Sequence, residues 1–297
     1  MRIYRRSGFW RRFVCAVLVF AAGCAESARI VPERDTYACC ESESPQHGLN
    51  ENGTNKNKSA SQEPLWLQSA RADLAKWPNR IIEDSKDSFL RLDNMTALLL
   101  AGGISVAMHD SNVDKNIAEH FEKHRCLRNL RDESLNIIGH PATHFAASTI
   151  WYVLSAENQD QFNRERAWTM RTALSVTWLA TMGLKAIRDN ESPNGKSWSW
   201  PSGHASSSFT VASVLDEFYG PKVGIPAYGL ASLVAYRMMD TGDHWASDIV
   251  FGATLGWVVG HTIAGRHKKL EVAGFEVLPY IATSDEPVMG FSLIRRF

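Results

Sequence analysis

From residue 65 onward, apolar residues recur three and four positions apart. The pattern begins with LWLQSARADLAKW and IIEDSKDSFLRL, each of which lines its apolar side chains along one helix face. The same spacing predicts core helices over 94–108, 137–154, 168–187, 205–218, 223–239 and 246–264. The expectation is therefore an all-α bundle of about six core helices. Strand-like alternation is confined to the end of the chain. There FEVLPYIATSDEPVMGFSLIRRF alternates on either side of a Ser-Asp-Glu-Pro turn and predicts one small hairpin.

Each predicted helix is interrupted by Gly, Pro, His or charge, as in IIGHPATHF and WTMRTALSV, so none supplies the long apolar run of a membrane span. Mean hydropathy is -0.23. Both features favour a helical domain in water over a polytopic membrane protein. Residues 1–24, MRIYRRSGFWRRFVCAVLVFAAGC, differ: basic residues, a short apolar run and small residues follow in the order of a secretory signal. Ala21-Ala22-Gly23-Cys24 is similar to a bacterial lipobox, which makes Cys24 a candidate lipid anchor. Residues 25–64 are rich in Ser, Asn, Glu and Lys and read as a disordered tether. The expected organisation is thus a signal (1–24), a tether (25–64), a helical domain (65–268) and a hairpin (269–297) in an exported, periplasmic or membrane-associated protein.

Lys plus Arg equals Asp plus Glu, 32 of each, so the chain has no broad electrostatic footprint for nucleic acid and any anion site must be local. Cys39 and Cys40 are adjacent and only Cys126 lies downstream, a pattern that supports neither a disulfide framework nor a zinc site.

Three islands carry the chemistry. The first runs from Lys185 through Arg188, Ser192 and Pro193, the second is Pro201-Ser202-Gly203-His204, and the third is Arg237 followed by His244-Trp245-Ala246-Ser247-Asp248. Each alone is weak, since a Lys near a helix end is usually solvated and Pro-Ser-Gly-His is an ordinary capped helix start. A helix that begins at Ser202 would nevertheless present free N–H groups and a positive dipole end to an anion, with Gly203 leaving room for its approach. His244 and Asp248, four apart, can pair so that the carboxylate fixes the imidazole tautomer. Together the islands supply two cations, a helix N-terminus and two histidines. That set suits phosphoryl transfer through a phosphohistidine without metal or other cofactor, one His attacking phosphorus and the other moving the proton. Spacing does not say which histidine attacks. A Gly-rich nucleotide loop, metal-ligand spacing and a nucleophile elbow are all missing.

In this order and with these gaps, the islands resemble the signature of the type 2 phosphatidic acid phosphatase superfamily: Lys followed by Arg-Pro, then Pro-Ser-Gly-His, then Arg with His-x-x-x-Asp. The resemblance implies that His204 protonates the leaving group, that His244 is the nucleophile oriented by Asp248, and that Lys185, Ser202, Gly203 and Arg237 hold the phosphate. The implied substrate is a phosphate ester, with a lipid phosphate expected and the membrane reached through that substrate or a lipid anchor. The chain departs from the pattern at Ser192, where an Arg is usual, leaving Arg188 and Lys196 as candidate replacements. It departs again in Asp240-Thr241-Gly242-Asp243, one residue longer than usual, and at Tyr236 in place of Ser. Loss of one charge-assisted contact costs about 1.5 to 3 kcal/mol, enough to slow an enzyme without abolishing it. Three rivals remain: a vanadium-dependent haloperoxidase, with His244 as the vanadium ligand, a phosphate-binding protein with a decayed site, and a polytopic lipid phosphatase.

His140 and His144 are spaced like a metal pair but have no third ligand nearby and are expected to pack in the core or at an interface. Most of Trp151, Trp168, Trp178, Trp198, Trp200, Trp245 and Trp257 are expected in the core, with contact to an apolar substrate tail as the alternative for Trp198 and Trp200, which flank the cradle.

Overall fold

The computed structural model describes residues 63–127 and 130–267 and the backbone of three C-terminal strands. The signal, the tether and Cys24 lie outside the described residues. Nine helices follow in order among those described: α1 (Leu65–Leu90), α2 (Leu92–Asp110), α3 (Val113–Lys123), α4 (Leu130–Gly139), α5 (Pro141–Glu157), α6 (Gln161–Ile187), α7 (Gly203–Tyr219), α8 (Pro221–Asp240) and α9 (Ala246–His267). β2 (Phe275–Ala282) and β3 (Val288–Ile294) form the expected antiparallel hairpin, with Glu276 opposite Ile294 and Ala282 opposite Val288, and the two-residue β1 (Glu271–Val272) pairs with β2.

The fold is all-α with this small appendage, but its boundaries differ from the periodic reading. The stretch 137–154 is two helices. Pro141 cannot accept a continued helix from before it, and His140 is extended at φ -70° and ψ 131°, capping α5 by accepting the Ala142 N–H on Nδ1 at 3.1 Å. Conversely, the first two apolar stretches form one helix that runs through Pro78. The short, polar α3 was not expected.

The main core lies between α6, α7 and α9, where Leu174, Val176, Val214, Leu255, Val259 and Ile263 are almost wholly enclosed. Tyr152 and Trp168 close a second cluster between α5 and α6, while Ala205, Ala235, Met238 and Ile249 join α7, α8 and α9. Polar pairs cross the same interior: Thr177 Oγ1 lies 2.8 Å from Thr210 Oγ1, and Thr181 Oγ1 lies 3.1 Å from Ser206 Oγ, tying α6 to α7. No single described helix is long and apolar enough to cross a membrane; α1 and α2 pass that test only as a pair bent by 67°. α2 nonetheless leaves Leu92, Leu99, Leu100 and Ile104 exposed.

α7 and α9 approach closely along Gly252, Gly256 and Gly260, which form a stripe at helical spacing. A Cβ at Gly256 would stand 2.1 Å from the Ser206 carbonyl oxygen and 2.9 Å from the Thr210 nitrogen; one at Gly252 would stand 2.7 Å from the Ser202 carbonyl oxygen. Those contacts are to backbone and cannot relax by a rotamer change, so glycine is required for the two helices to touch. Gly256→Ala should therefore cost about 2 kcal/mol or more and lower Tm by roughly 5 °C, measured by thermal unfolding. Gly103→Ala, at an exposed helical position with nothing within 4 Å, is the control and should hold or slightly raise Tm.

Candidate active site

The predicted residues converge on one cavity of about 1040 Å³, lined among others by Lys185, Gly203, His204, Arg237 and His244. Each is delivered by a helix end. Lys185 stands in the last turn of α6, Arg237 in the last turn of α8, and His204 in the first turn of α7. Ser202 is the α7 N-cap, its Oγ accepting from the Ala205 N–H at 3.3 Å, and its own N–H donates to the Asp248 carbonyl at 3.2 Å. That backbone bond joins the second island directly to the third.

The His244–Asp248 pair forms as expected but not by sharing a helix face. His244 sits in the turn before α9, its N–H donating to the Met238 carbonyl at 3.1 Å. Asp248 is the third residue of α9 and reaches back as a cap, accepting the Trp245 N–H on Oδ2 at 3.0 Å. The same oxygen accepts from Ser199 Oγ and lies 3.4 Å from His244 Nδ1. A carboxylate only accepts, so this contact puts the imidazole proton on Nδ1 and leaves the Nε2 lone pair for chemistry. Asp114 of α3 anchors the same turn, accepting from the Ser247 N–H at 2.9 Å and from its hydroxyl.

Lys185 is buried, and its ammonium donates to the carbonyls of Trp198 and Ser199, the second at 3.0 Å. Trp198 takes a left-handed φ of 63°, an uncommon conformation for a bulky residue that marks this loop as held from outside. Burial pulls the Lys185 pKa down to about 8 against the opposing pull of Asp248. Burial likewise takes His204 down to about 3, and the charges of His244, His140 and Arg237 push the same way. His204 Nε2 is buried without a hydrogen-bond partner in the protein.

Arg237 is flanked by carboxylates, Nε donating to Asp132 Oδ1 and Nη1 to Asp243 Oδ2, each at 2.6 Å. Ser192, in place of the usual Arg, is buried and organises its loop, its hydroxyl donating to Asn194 Oδ1 at 2.7 Å and accepting the Lys196 N–H at 3.0 Å. Of the two candidate replacements, Arg188 lies over Trp200 at 5.4 Å, while Lys196 lines the cavity. In the lengthened turn only Asp243 faces the site. Asp240 is buried elsewhere, accepting the N–H groups of Cys126 and Leu127 at 2.8 and 2.9 Å. Tyr236 packs edge-on against Phe121.

Periodicity missed several contributors. Ser199, Asn194 and Asp132 come from loops or an unexpected helix, and the expectation for His140 was wrong: it is exposed, lines the cavity and stands edge-on to His204 with centroids 5.3 Å apart. His144 is partly enclosed, and burial takes its pKa down to about 4. Trp178 and Trp257 are exposed instead of core, and Trp178 joins Trp77, Ile81, Phe145, Leu179 and Trp198 as the apolar wall of the cavity. Trp200 packs against Phe251 at 4.5 Å, on the main core as expected of most of the tryptophans. Among the described residues, no group of three or more His, Cys, Asp or Glu is arranged to hold a metal.

Residues 184–270 match the sequence pattern of the PAP2 superfamily, a range that contains all three islands. Over 106 residues the chain is 35% identical to lipid A 1-phosphatase of Porphyromonas gingivalis, a similarity that covers 33% of this chain and 24% of that protein. The chain thus spans about a quarter of the length of this curated relative. Among solved structures it is similar to the transmembrane PAP2 type phosphatidylglycerolphosphate phosphatase from Bacillus subtilis, with a TM-score of 0.50 and 18% identity over 58% of this chain and 94% of that one. LpxE of Aquifex aeolicus gives a TM-score of 0.42 at 19% identity, over 50% of this chain and 93% of that one. At 18% identity the likeness to the Bacillus subtilis structure is one of fold.

The Lys185 shift sets a pH dependence. The ammonium is charged below about 8 and neutral above it, so if Lys185 holds phosphate as the resemblance implies, inorganic phosphate should bind more weakly as pH rises through 8. Lys185→Arg should move that loss to higher pH, and calorimetric titration from pH 6.5 to 9.5 checks both. The effect on stability has the opposite sign. Between about 8 and 10.5 the unfolded chain binds more protons at this position than the folded one, so this group makes stability rise with pH across that window.

Proposed function

We propose that the chain, whose residues 184–270 match the PAP2 superfamily pattern, is a phosphatase that hydrolyses a phosphate monoester or pyrophosphate without metal. In this reading His244 Nε2 attacks phosphorus, the bond from phosphorus to the leaving oxygen breaks, and His204 gives that oxygen its proton. Water then attacks the phosphohistidine, the nitrogen–phosphorus bond breaks, His204 takes a proton from the water, and inorganic phosphate leaves. Lys185, Arg237 and the Ser202-Gly203 start of α7 hold the phosphate oxygens as negative charge builds on them. The observation that carries the reading is the pairing of His244, which lines one cavity with His204, Lys185 and Arg237, through Nδ1 to Asp248 buried behind it.

A lipid phosphate is the substrate class this reading favours. The phosphate-binding end of the cavity opens onto the apolar wall of Trp77, Ile81, Phe145, Trp178, Leu179 and Trp198, which suits an acyl chain, and the similarity to a lipid A 1-phosphatase points the same way. The exposed leucines of α2 and the signal-like N-terminus support export to a membrane surface, held there by the substrate or through Cys24.

Two measurements test the proposal. In the presence of chelator the purified chain should release phosphate from a chromogenic phosphate monoester, and His244→Ala should lower kcat by about a thousandfold or more. His204→Ala should slow esters with poor leaving groups far more than those with good ones, because only the former need the proton. Full activity in His244→Ala would refute the mechanism. For the substrate class, Trp178→Ala or Leu179→Ala should raise KM for a long-chain lipid phosphate about tenfold while the chromogenic ester is little affected. Equal effects on both substrates would count against the lipid.

A further inference from the structure

Both cations that could meet phosphate on the His244 side of the cavity are already paired with one carboxylate. Asp243 Oδ2 accepts from Arg237 Nη1 at 2.6 Å and from Thr241 Oγ1 at 2.8 Å. Its Oδ1 accepts from Lys196 Nζ at 2.7 Å and from Asn194 Nδ2 at 2.8 Å. Four donors from two loops and a helix end thus converge on an anion one residue before the proposed nucleophile. Such a convergence of ammonium, guanidinium, amide and hydroxyl is the donor set that an oxyanion with more than two oxygens would use.

A carboxylate beside an arginine is often there to position it, but the surroundings assign that task elsewhere. Arg237 is already held through Nε by Asp132 and is buried, so its placement does not require a second acid. Lys196, by contrast, has a side chain 70% exposed that is drawn over the cavity through Asp243. Asp243 itself follows Gly242, whose φ of 70° shapes the turn, and the neighbouring loop docks there through the Asn194 N–H to the Gly242 carbonyl at 3.1 Å.

We propose that Asp243 is an internal stand-in for phosphate. It occupies Arg237 and Lys196 in the resting site, and an incoming phosphoryl group displaces it and takes both cations. Lys196 thereby supplies the positive charge that Ser192 removes from the first island. The inference rests on the reading of Arg237 as a phosphate ligand and adds to it a second cation and a competitor. In consequence the site discriminates by charge: dianionic phosphate displaces the carboxylate, whereas a carboxylate or another monoanion gains little over Asp243.

Calorimetric titration of the full chain with inorganic phosphate at pH 7 tests this. Asp243→Asn should bind about tenfold more tightly than wild type, the change expected when a charge-assisted competitor is removed. Lys196→Met should weaken binding in wild type and should cancel most of the gain in the Asp243→Asn background. Asn194→Ala, which removes one donor from Asp243 without changing charge, should tighten binding two- to fivefold and serves if Asp243→Asn does not fold. Unchanged or weaker binding in a folded Asp243→Asn or Asn194→Ala variant overturns the inference, since it would make Asp243 a positioning residue. Arg237→Met separates this failure from failure of the underlying site: if it binds phosphate as wild type does, Arg237 is no ligand and the inference falls with that reading.

Discussion

Everything in this site depends on how closely two helices can approach. α7 and α9 meet along Gly252, Gly256 and Gly260 at distances that exclude even a methyl group, and the approach brings the Ser202 corner under the start of α9. At that separation the Ser202 N–H reaches the Asp248 carbonyl, which locks the loop carrying one histidine to the turn carrying the other. The threonine and serine pairs between α6 and α7 extend the same rigid block to Lys185, one turn beyond Thr181. A catalytic constellation needs its parts held within a fraction of an ångström, and here backbone contact between helices supplies that tolerance where flexible side chains could not.

Burying so much charge requires local partners, and they account for the residues between the islands. Lys185 is satisfied by the carbonyls of Trp198, whose backbone is left-handed, and of Ser199; Asp248 is satisfied by an N–H, a hydroxyl and an imidazole; Arg237 is satisfied by two carboxylates. The resting cavity is therefore electrostatically closed on itself. Under the proposal, binding of an oxyanion is an exchange of partners, and its strength is the difference between the new contacts and the ones given up.

Much of this was legible in the chain, for different reasons in different places. The corner at Ser202 announced itself because a cap, a glycine and a histidine must be contiguous to build a helix-start site. The pairing of His244 with Asp248 was read from helical spacing, yet it arises from capping, because a carboxylate three residues into a helix reaches the turn before it. Asp132, Asn194 and Ser199 were not legible: they act from segments without period, and only tertiary contact brings them to Arg237, Asp243 and Asp248. His140 was misread since its spacing to His144 suggested a shared helix face, whereas Pro141 breaks the helix between them. The glycine stripe of α9 was visible in the sequence, but hydrophobic pattern weighs large side chains and passes over the positions that matter by having none.

The depressed basicity of His204 completes the physical picture. The ring is enclosed, and His244, His140 and Arg237 all oppose a charge on it, so at neutral pH it enters the cycle without the proton that the proposed role demands. A phosphate dianion reverses the sign of that environment: it neutralises the surrounding cations and offers an acceptor to a ring nitrogen that has no partner in the protein. The acid would thus be charged by the substrate it serves. Burial is the first cause of the low His204 pKa, with the charges of His244, His140 and Arg237 adding to it, so under the proposed function a bound phosphate would offset part of that penalty and couple binding to proton donation.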